Sequence, residues 1–403
     1  MLPDYDILIA GAGPAGCAAA YDLARAGKRV LMLDKRSFPR PKACACGLTR
    51  KTLQALRYSV DLVVERVCRE IVLQQAAAGE HTADKAKEVR VKTRTPICAM
   101  AVRERFDAFC LQQTLEACRN GGTATLRKID SIVAMRELPT HVELDIAFLE
   151  DGVQHTETLR APVLIGADGS NGQTRRMAEQ LSPTAQGWYQ RGFALEATVP
   201  YTDLPTLLPA GDAPHDLVFD FAPLPGGYGW LFPKGDHINI GVGAFAPSDA
   251  AAEANLKQVT RALLAEYSLQ KLGIAELPNV TGQHLGMGGH AYVPRGRVLL
   301  VGDAAGLVDP LTGEGIHSAI VSGQAAAAAV LSNKPEIAAA YAKQLQPLQQ
   351  TLAFSHRAAQ AFYKQPERGF KAMRIPILRS LILKTYADGL PHTRLLTALA
   401  KLV

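Results

Sequence analysis

The sequence predicts an α/β fold: a discontinuous, Rossmann-like nucleotide domain interleaved with a mostly antiparallel β-sheet domain, then a helical C-terminal segment. A glycine-rich turn directly follows the first apolar run, Asp6–Ala10. Short apolar runs near residues 6, 30, 163 and 298 read as buried parallel strands, and the stretches between them alternate apolar and polar residues as half-buried antiparallel strands do. From residue 335 onward the pattern is almost wholly helical.

Asp6–Ala10 reads as a strand, Gly11-Ala-Gly-Pro-Ala-Gly16 as a turn, Cys17–Ala26 as an Ala-rich helix ended by Gly27, and Arg29–Asp34 as a second strand closing on an acid. That order is a dinucleotide fingerprint, with the acid about 20 residues beyond the glycines. Gly11 permits the tight turn, Gly13 lets backbone approach a pyrophosphate, and Gly16 lets helix and strand pack closely. Pro14 and Ala15 stand where a helix N-terminus offers free N–H groups to phosphate. Asp34 is placed to accept from the hydroxyls of an adenosine ribose. The fingerprint alone does not separate NAD(P) from FAD.

Lys35 to Gly47 forms a turn-rich basic loop carrying two thiols. Arg36, Arg40 and Lys42 suit a phosphate or diphosphate headgroup, or simply a solvated face. Leu48–Val64 reads as a helix, Ile71–Gln75 and Glu88–Lys92 as strands joined by a polar loop over 76–86, and Val102–Cys118 as a segment leading into a helix. Three strands follow, Ala124–Ile132, His141–Phe148 and Glu157–Leu159. The apolar strand after Ala161 ends in a turn with Asp168-Gly169. Arg191–Phe245 is strand-like again, and Ala250–Tyr267 is helical. The strand from Gly296 ends in Gly302-Asp303, and a loop through Gly315 opens a helix to Leu331. The expected domains are 1–70, 97–178 and 286–333 for the nucleotide, 71–96 and 179–285 for substrate, and 334–403 for the helical segment.

A chain of 403 residues can hold two or three domains. No apolar stretch reaches the ~18–20 residues a bilayer span needs, and the N-terminus reads as a strand rather than a signal peptide. Seven scattered cysteines suit free thiols in a cytoplasmic protein. For Cys17, Cys68, Cys98, Cys110 and Cys118 the expected role is that of a small buried apolar residue. The net charge of +6 is too dispersed to suggest nucleic acid, and suits an anionic ligand or membrane surface. No His/Cys/Asp cluster has metal-ligand spacing. Lys371, Arg374, Arg379, Lys384, Arg394 and Lys401 lie among Ile, Leu and Met in the tail, a pattern that lies on anionic lipid or caps a domain.

Together the N-terminal fingerprint, Asp168-Gly169 and the run Gly302-Asp-Ala-Ala-Gly-Leu-Val-Asp-Pro-Leu-Thr-Gly-Glu-Gly-Ile316 resemble the FAD-containing oxidoreductases of the p-hydroxybenzoate hydroxylase fold. Gly226-Gly-Tyr-Gly-Trp-Leu-Phe-Pro-Lys234 with Ile240-Gly-Val-Gly243 is similar to the Tyr-x-Trp-x-Phe-Pro-Lys…Val-Gly signature of the geranylgeranyl reductase family. Pro41-Lys-Ala-Cys-Ala-Cys-Gly-Leu48 resembles that family's Lys-x-Cys-Gly-Gly-Gly-Leu loop, although Ala45 and Cys46 replace two glycines. The resemblance covers residues 1 to about 330, and not the C-terminal helices.

The resemblance implies FAD as cofactor. Gly302 and Asp303 are implied at the ribitol, and Pro310, Gly313, Gly315 and Ile316 beside the pyrimidine edge, where N–H groups stabilise negative charge on reduced flavin. Arg103, Lys42, Gly47 and Asp168 are implied near the cofactor. The implied reaction saturates isolated double bonds of a prenyl chain, with electrons from NADPH or a ferredoxin-like donor. Cys44 is implied beside the isoalloxazine, gating or positioning substrate or relaying a proton, and Cys46 could pair with it in redox chemistry. Tyr228, Trp230 and Phe232 alternate along one strand and so share a face. They line an isoprenoid channel or fill a sheet-to-domain interface. His317 sits near the flavin or packs within its helix. A flavin monooxygenase or halogenase is the first alternative, and a non-catalytic prenyl-lipid carrier the second.

Overall fold

The computed structural model describes residues 4–75, 87–119, 121–181, 188–204, 217–221, 226–244 and 250–389. The expected loop over 76–86 and the tail cations Arg394 and Lys401 lie outside them.

Five parallel strands form the first sheet, in the order Val298–Leu300, Val163–Gly166, Ile7–Ala10, Arg29–Asp34 and Thr123–Lys128. The first four are the apolar runs, covered on both faces as their composition requires. The fifth alternates apolar and polar residues because it is an edge strand, with one side in water. Helices Pro14–Arg25 and Ile316–Leu331 pack against each other through small residues, so closely that a side chain at Gly323 would collide with the Ala15 carbonyl.

The second large sheet has seven strands, in the order Thr281–Met287, Gln190–Pro200, His237–Ala244, Gly227–Pro233, Leu217–Asp220, Glu70–Gln75 and Lys87–Lys92. Its pairs are antiparallel except that of Leu217–Asp220 with Glu70–Gln75. One face carries Phe193, Leu195, Ile240 and Val242 against Leu264 and Tyr267 of the helix Ala250–Leu272. The other carries Phe219, Tyr228, Trp230 and Phe232 against Phe370, Leu383 and Ala387 of the helices Pro366–Met373 and Pro376–Asp388. Two three-stranded sheets complete the β-structure: Val153–Ala161, Val142–Glu150 and Ser131–Glu137; and Gly47–Thr49, Cys98–Ala101 and Val64–Cys68.

The structure corrects several expected elements. Leu48–Val64 is not one helix: Gly47–Thr49 pairs with Cys98–Ala101, the helix covers only Arg50–Ala55, and Asp61–Val63 is a 3₁₀ turn. Here strand pairing with a distant segment overrides local propensity. Ala124–Ile132 divides into two strands of different sheets, Thr123–Lys128 and Ser131–Glu137. The first helix starts at Pro14 rather than Cys17, because proline suits the first helical position. The helix of Arg103–Leu115 ends before Cys118, which is exposed rather than buried. Among the described residues no helix is long and apolar enough to cross a membrane.

Candidate active site

The nucleotide end is built from backbone. Gly11 has φ +100°, and a side chain there would strike the Ala167 carbonyl. One at Gly16 would strike the Gly11 carbonyl. Gly13 differs: its missing side chain faces open space, with Arg40 Nη2 at 3.5 Å as its nearest neighbour. The helix that follows has Pro14 in its first turn and no side-chain cap, so its leading N–H groups have no intrahelical partner. The Asp34 carboxylate is held beside this turn, accepting from Ala12 N–H at 2.9 Å and Arg36 N–H at 3.0 Å. Lys35 next to it is exposed.

Arg40 does not join Arg36 on a solvated face. Its Nη2 lies 3.4 Å from Asp107, and its buried Nε has no hydrogen-bond partner. Asp107 also accepts from Arg103 at 2.5 and 3.1 Å, so two guanidinium groups converge on one buried carboxylate. An excess of positive charge next to an open glycine and an uncapped helix fits the pyrophosphate of a dinucleotide.

The Gly302–Gly315 segment forms a second cradle. Gly302 N–H donates to Ser322 Oγ at 2.9 Å. Burial raises the Asp303 pKa, opposed by Lys42 and Arg103 and by the Gly286 N–H. Burial also pulls the Lys42 amine below its ordinary value, with Arg103 adding to the shift. In the loop beginning at Asp309-Pro310, Asp309 Oδ1 accepts from Leu311 and Thr312 N–H at 2.9 and 3.0 Å, and Gly313 N–H donates to Asp309 O at 2.8 Å. Gly315 then opens the helix at Ile316 with no side-chain cap. Tyr228 and Tyr363 suspend this loop, donating to the Thr312 and Leu311 carbonyls, the second at 2.7 Å. Glu314 anchors it from below, accepting from Lys51 at 2.6 Å, Thr49 at 2.8 Å and Thr52 at 3.1 Å. His317 is half-buried, and desolvation pulls it down to about 4, so it is neutral at physiological pH.

Asp168 sits at the Gly11 turn, but its carboxylate is spent on the chain itself. It accepts from Gln173 N–H at 2.6 Å, Thr174 N–H at 2.9 Å and the Thr174 hydroxyl, capping the helix Thr174–Leu181.

The thiol loop is built from side chains. Cys46, where the family loop has glycine, has φ +48°, a left-handed conformation costly for a residue with a Cβ. Its N–H lies 3.4 Å from Cys44 Sγ. The Cys46 thiol donates to Cys44 Sγ and, against burial, holds the Cys44 thiol well below its ordinary pKa; Arg103 adds to this. Cys46 is correspondingly raised. Cys44 N–H donates to Glu196 Oε1 at 2.6 Å. Burial lifts the Glu196 carboxyl to about 8, and negative charge on Cys44 adds to the rise. Lys234, buried at 2% exposure, donates to the carbonyls of Ala45 and Ala101, pinning the loop to the sheet.

Tyr228, Trp230 and Phe232 do share a face, with Tyr228 and Trp230 ring centroids 6.0 Å apart and those of Trp230 and Phe232 6.5 Å apart. Trp230 Nε1 donates to Asn239 Oδ1 at 2.7 Å, and the Asn239 side chain hydrogen-bonds Glu196. A side chain at Gly241 would strike the indole, which explains the glycine between Ile240 and Val242. Phe219, Tyr386 and Ala45 pack into the same apolar cluster, which therefore runs from the C-terminal helices to the thiol loop.

Sequence reasoning passed over Glu196, Asn239, Asp107 as a hub, and Glu314. Glu314 lies inside the Gly302–Ile316 run, and Asp107 stands four residues after Arg103. Glu196 was legible only as an acid on an inward-facing position of a strand. Among the described residues, Glu65, Asp236 and His237 come within metal-ligand spacing of one another. Their carboxylates already accept from Arg105, Gly235 N–H and His237.

A family model for the FAD binding domain matches residues 4–341. Over 328 residues the chain is 29% identical to digeranylgeranylglycerophospholipid reductase 3 of Methanosphaera stadtmanae, covering 81% of this chain and 77% of that one. It is 30% identical to the menaquinone reductase of Mycolicibacterium smegmatis over 332 residues, covering 80% and 75%. Among solved structures, a geranylgeranyl bacteriochlorophyll reductase-like protein of Thermoplasma acidophilum matches with TM-score 0.68 at 21% identity, over 88% of this chain and 87% of that one. A flavin-dependent brominase matches with TM-score 0.67 at 18% identity, over 95% and 93%. The class is that of flavin-dependent oxidoreductases. The chain belongs to the FAD-binding family, with FAD as its cofactor, and curated relatives it resembles are named as reductases.

Proposed function

We propose that this protein saturates isolated C=C bonds of a prenyl chain. When bound and reduced, FAD supplies the hydride, from N5. The observation that carries the reading is the apolar cluster joining Tyr228, Trp230 and Phe232 to Ala45 of the thiol loop. A long hydrocarbon that parts this face from the helices Pro366–Met373 and Pro376–Asp388, which cover it, would reach the thiol loop without meeting water. The aromatic faces stabilise the cationic character an unconjugated alkene develops as it is reduced. Relatives named for reducing digeranylgeranylglycerophospholipid, geranylgeranyl diphosphate and menaquinone support a polyprenyl substrate.

In this reading the FAD contacts are Gly11, Gly13, Pro14, Ala15, Gly16, Asp34, Lys35, Lys42, Gly47, Arg103, Gly302, Asp303, Pro310, Gly313, Gly315 and Ile316, while Asp168 acts through the helix it caps. The nucleotide domain comprises 1–70, 97–178 and 286–333, and the substrate domain 71–96 and 179–285. Electrons arrive from NADPH or a ferredoxin-like donor. Ile375 and Ile377 are exposed beside Lys371, Arg374 and Lys384, which suits peripheral contact with anionic lipid.

The test is anaerobic. Dithionite-reduced protein is mixed with geranylgeranyl diphosphate and with lipid-linked prenyl chains, and mass spectrometry looks for two added hydrogens per double bond. Trp230→Phe should keep its flavin and lose turnover on the order of 10-fold; unchanged turnover would remove Trp230 from the substrate wall. An oxygenated or halogenated aromatic product, with no saturation, would favour the chemistry of the brominase whose fold the chain shares. Bound prenyl lipid with no turnover under any reductant would favour a carrier.

A further inference from the structure

Glu196 is a buried acid with an assigned partner and no assigned task. It projects from Gln190–Pro200 on the same row as Gly241 and Trp230, since Glu196 pairs with Gly241 and Gly241 with Trp230. Its Oε1 lies 2.6 Å from Cys44 N across a sequence separation of 152 residues. The Asn239 side chain, itself holding Trp230 Nε1, completes the contact. A chain of polar contacts thus runs from the substrate wall through Trp230, Asn239 and Glu196 to Cys44.

We propose that Glu196 is the proton-holding partner of Cys44: the two share one proton, which Glu196 holds at rest and passes to Cys44 Sγ for the thiol to give to the substrate. This rests on the prenyl-reduction reading. In that reaction one alkene carbon takes hydride and the other takes a proton. The Glu196 O–H bond breaks and its proton passes to Cys44 Sγ; the S–H bond so formed then breaks with its electron pair left on sulfur, and the alkene π pair forms the new C–H bond. The pair is left as thiolate and carboxylate, and a solvent proton restores the Glu196 acid.

The surroundings fit two acids that hold one proton between them. Cys46 of the same loop and Arg103 stabilise negative charge on Cys44. Asp107 neutralises Arg103, and Lys42 faces Asp303 and Arg103. Tyr228 also feels the charge on Cys44. Lys234 is the cation that acts on Glu196, and its ammonium is engaged by two carbonyls. A second negative charge beside Cys44 is therefore unfavourable through the neutral range, and the titrations belong to the pair.

Infrared difference spectroscopy of the flavin-loaded protein reads the carboxyl directly. A protonated carboxyl band should persist in the wild type up to pH about 8 and be missing from Glu196→Gln, which keeps the acceptor for Cys44 N–H. In Cys44→Ala that band should titrate about one unit lower, because the thiolate charge is gone. A wild-type spectrum identical to that of Glu196→Gln would overturn the proposal. In prenyl turnover, Glu196→Gln should be slower on the order of 100-fold and lose the alkaline limb near pH 8, with partial rescue in Glu196→Asp. An unchanged limb would equally overturn it. If no variant and no wild type saturates a prenyl chain, the functional reading fails, while the infrared band still decides where the proton sits.

Discussion

At the glycine turn the site consists of backbone: Gly11 and Gly16 leave no room for a side chain, Gly13 faces open space, and the helix beyond it is uncapped. At the Lys42–Gly47 loop it consists of side chains: two thiols, a buried carboxyl, and guanidinium and ammonium groups held by Asp107 and by carbonyls. The first arrangement serves any dinucleotide, because phosphate asks only for N–H groups and space. The second is particular to this chain. Cys46 accepts a left-handed backbone in order to place its thiol against Cys44. In the proposed reading, cofactor affinity and chemistry rest on different kinds of structure, and substitutions should separate them.

The largest effect should come where the two regions meet. Asp107→Ala leaves Arg103 and Arg40 in the interior without their carboxylate, and should destabilise the flavin-free protein by about 3–5 kcal/mol in denaturant titration. A loss near zero would mean that solvent reaches both guanidinium groups. Next is a pH slope. The Glu196 carboxyl, held at about 8, has its folded pKa above its unfolded one. Its contribution to stability is complete below ~4.3 and is lost as pH rises through the folded value. Relative to wild type, Glu196→Gln should therefore gain stability with rising pH, by roughly 4–5 kcal/mol at alkaline pH. Parallel stability curves for the two proteins would contradict the buried neutral acid.

Gly16→Ala tests the backbone side of the comparison. Overpacking of about 1–3 kcal/mol should weaken flavin binding by about 10- to 100-fold, read from flavin fluorescence on titration of the apoprotein. Full affinity would show that the turn can relax. Cys46→Gly should change least. Relief of left-handed strain offsets the lost burial, leaving stability within about 1 kcal/mol of wild type. The Cys44 thiol, deprived of its donor, should titrate about one unit higher in alkylation kinetics; an unmoved titration would assign the shift to Arg103.

This division also explains what could be read without coordinates. The glycine turn and Asp34 act over a short stretch of sequence, so spacing exposes them, and the Gly302–Ile316 run is contiguous, so its resemblance to the family exposes it. Tyr228, Trp230 and Phe232 share a face by strand geometry alone. The pairing of Glu196 with Cys44 has no local signal, since the residues meet only when the seven-stranded sheet lies against the thiol loop. Arg40 read as part of a solvated basic loop because nothing nearby in sequence reveals that Asp107 draws it inward. Asp168 resembles a ligand from its turn, yet Thr174, six residues on, claims its carboxylate. Leu48–Val64 misled for the converse reason, its first residues being recruited as a strand by Cys98–Ala101.

The hydroxyls of Tyr228 and Tyr363 reach from the aromatic cluster to the carbonyls of Thr312 and Leu311. In the proposed reading the peptide dipoles of that loop belong to the environment that sets how readily a flavin beside it accepts electrons, so the redox midpoint and the shape of the hydrocarbon groove would share the same two fasteners. Recutting the groove for a longer or bulkier chain at Tyr228 would retune the electron carrier in the same stroke. In this architecture, substrate range and driving force are inherited together.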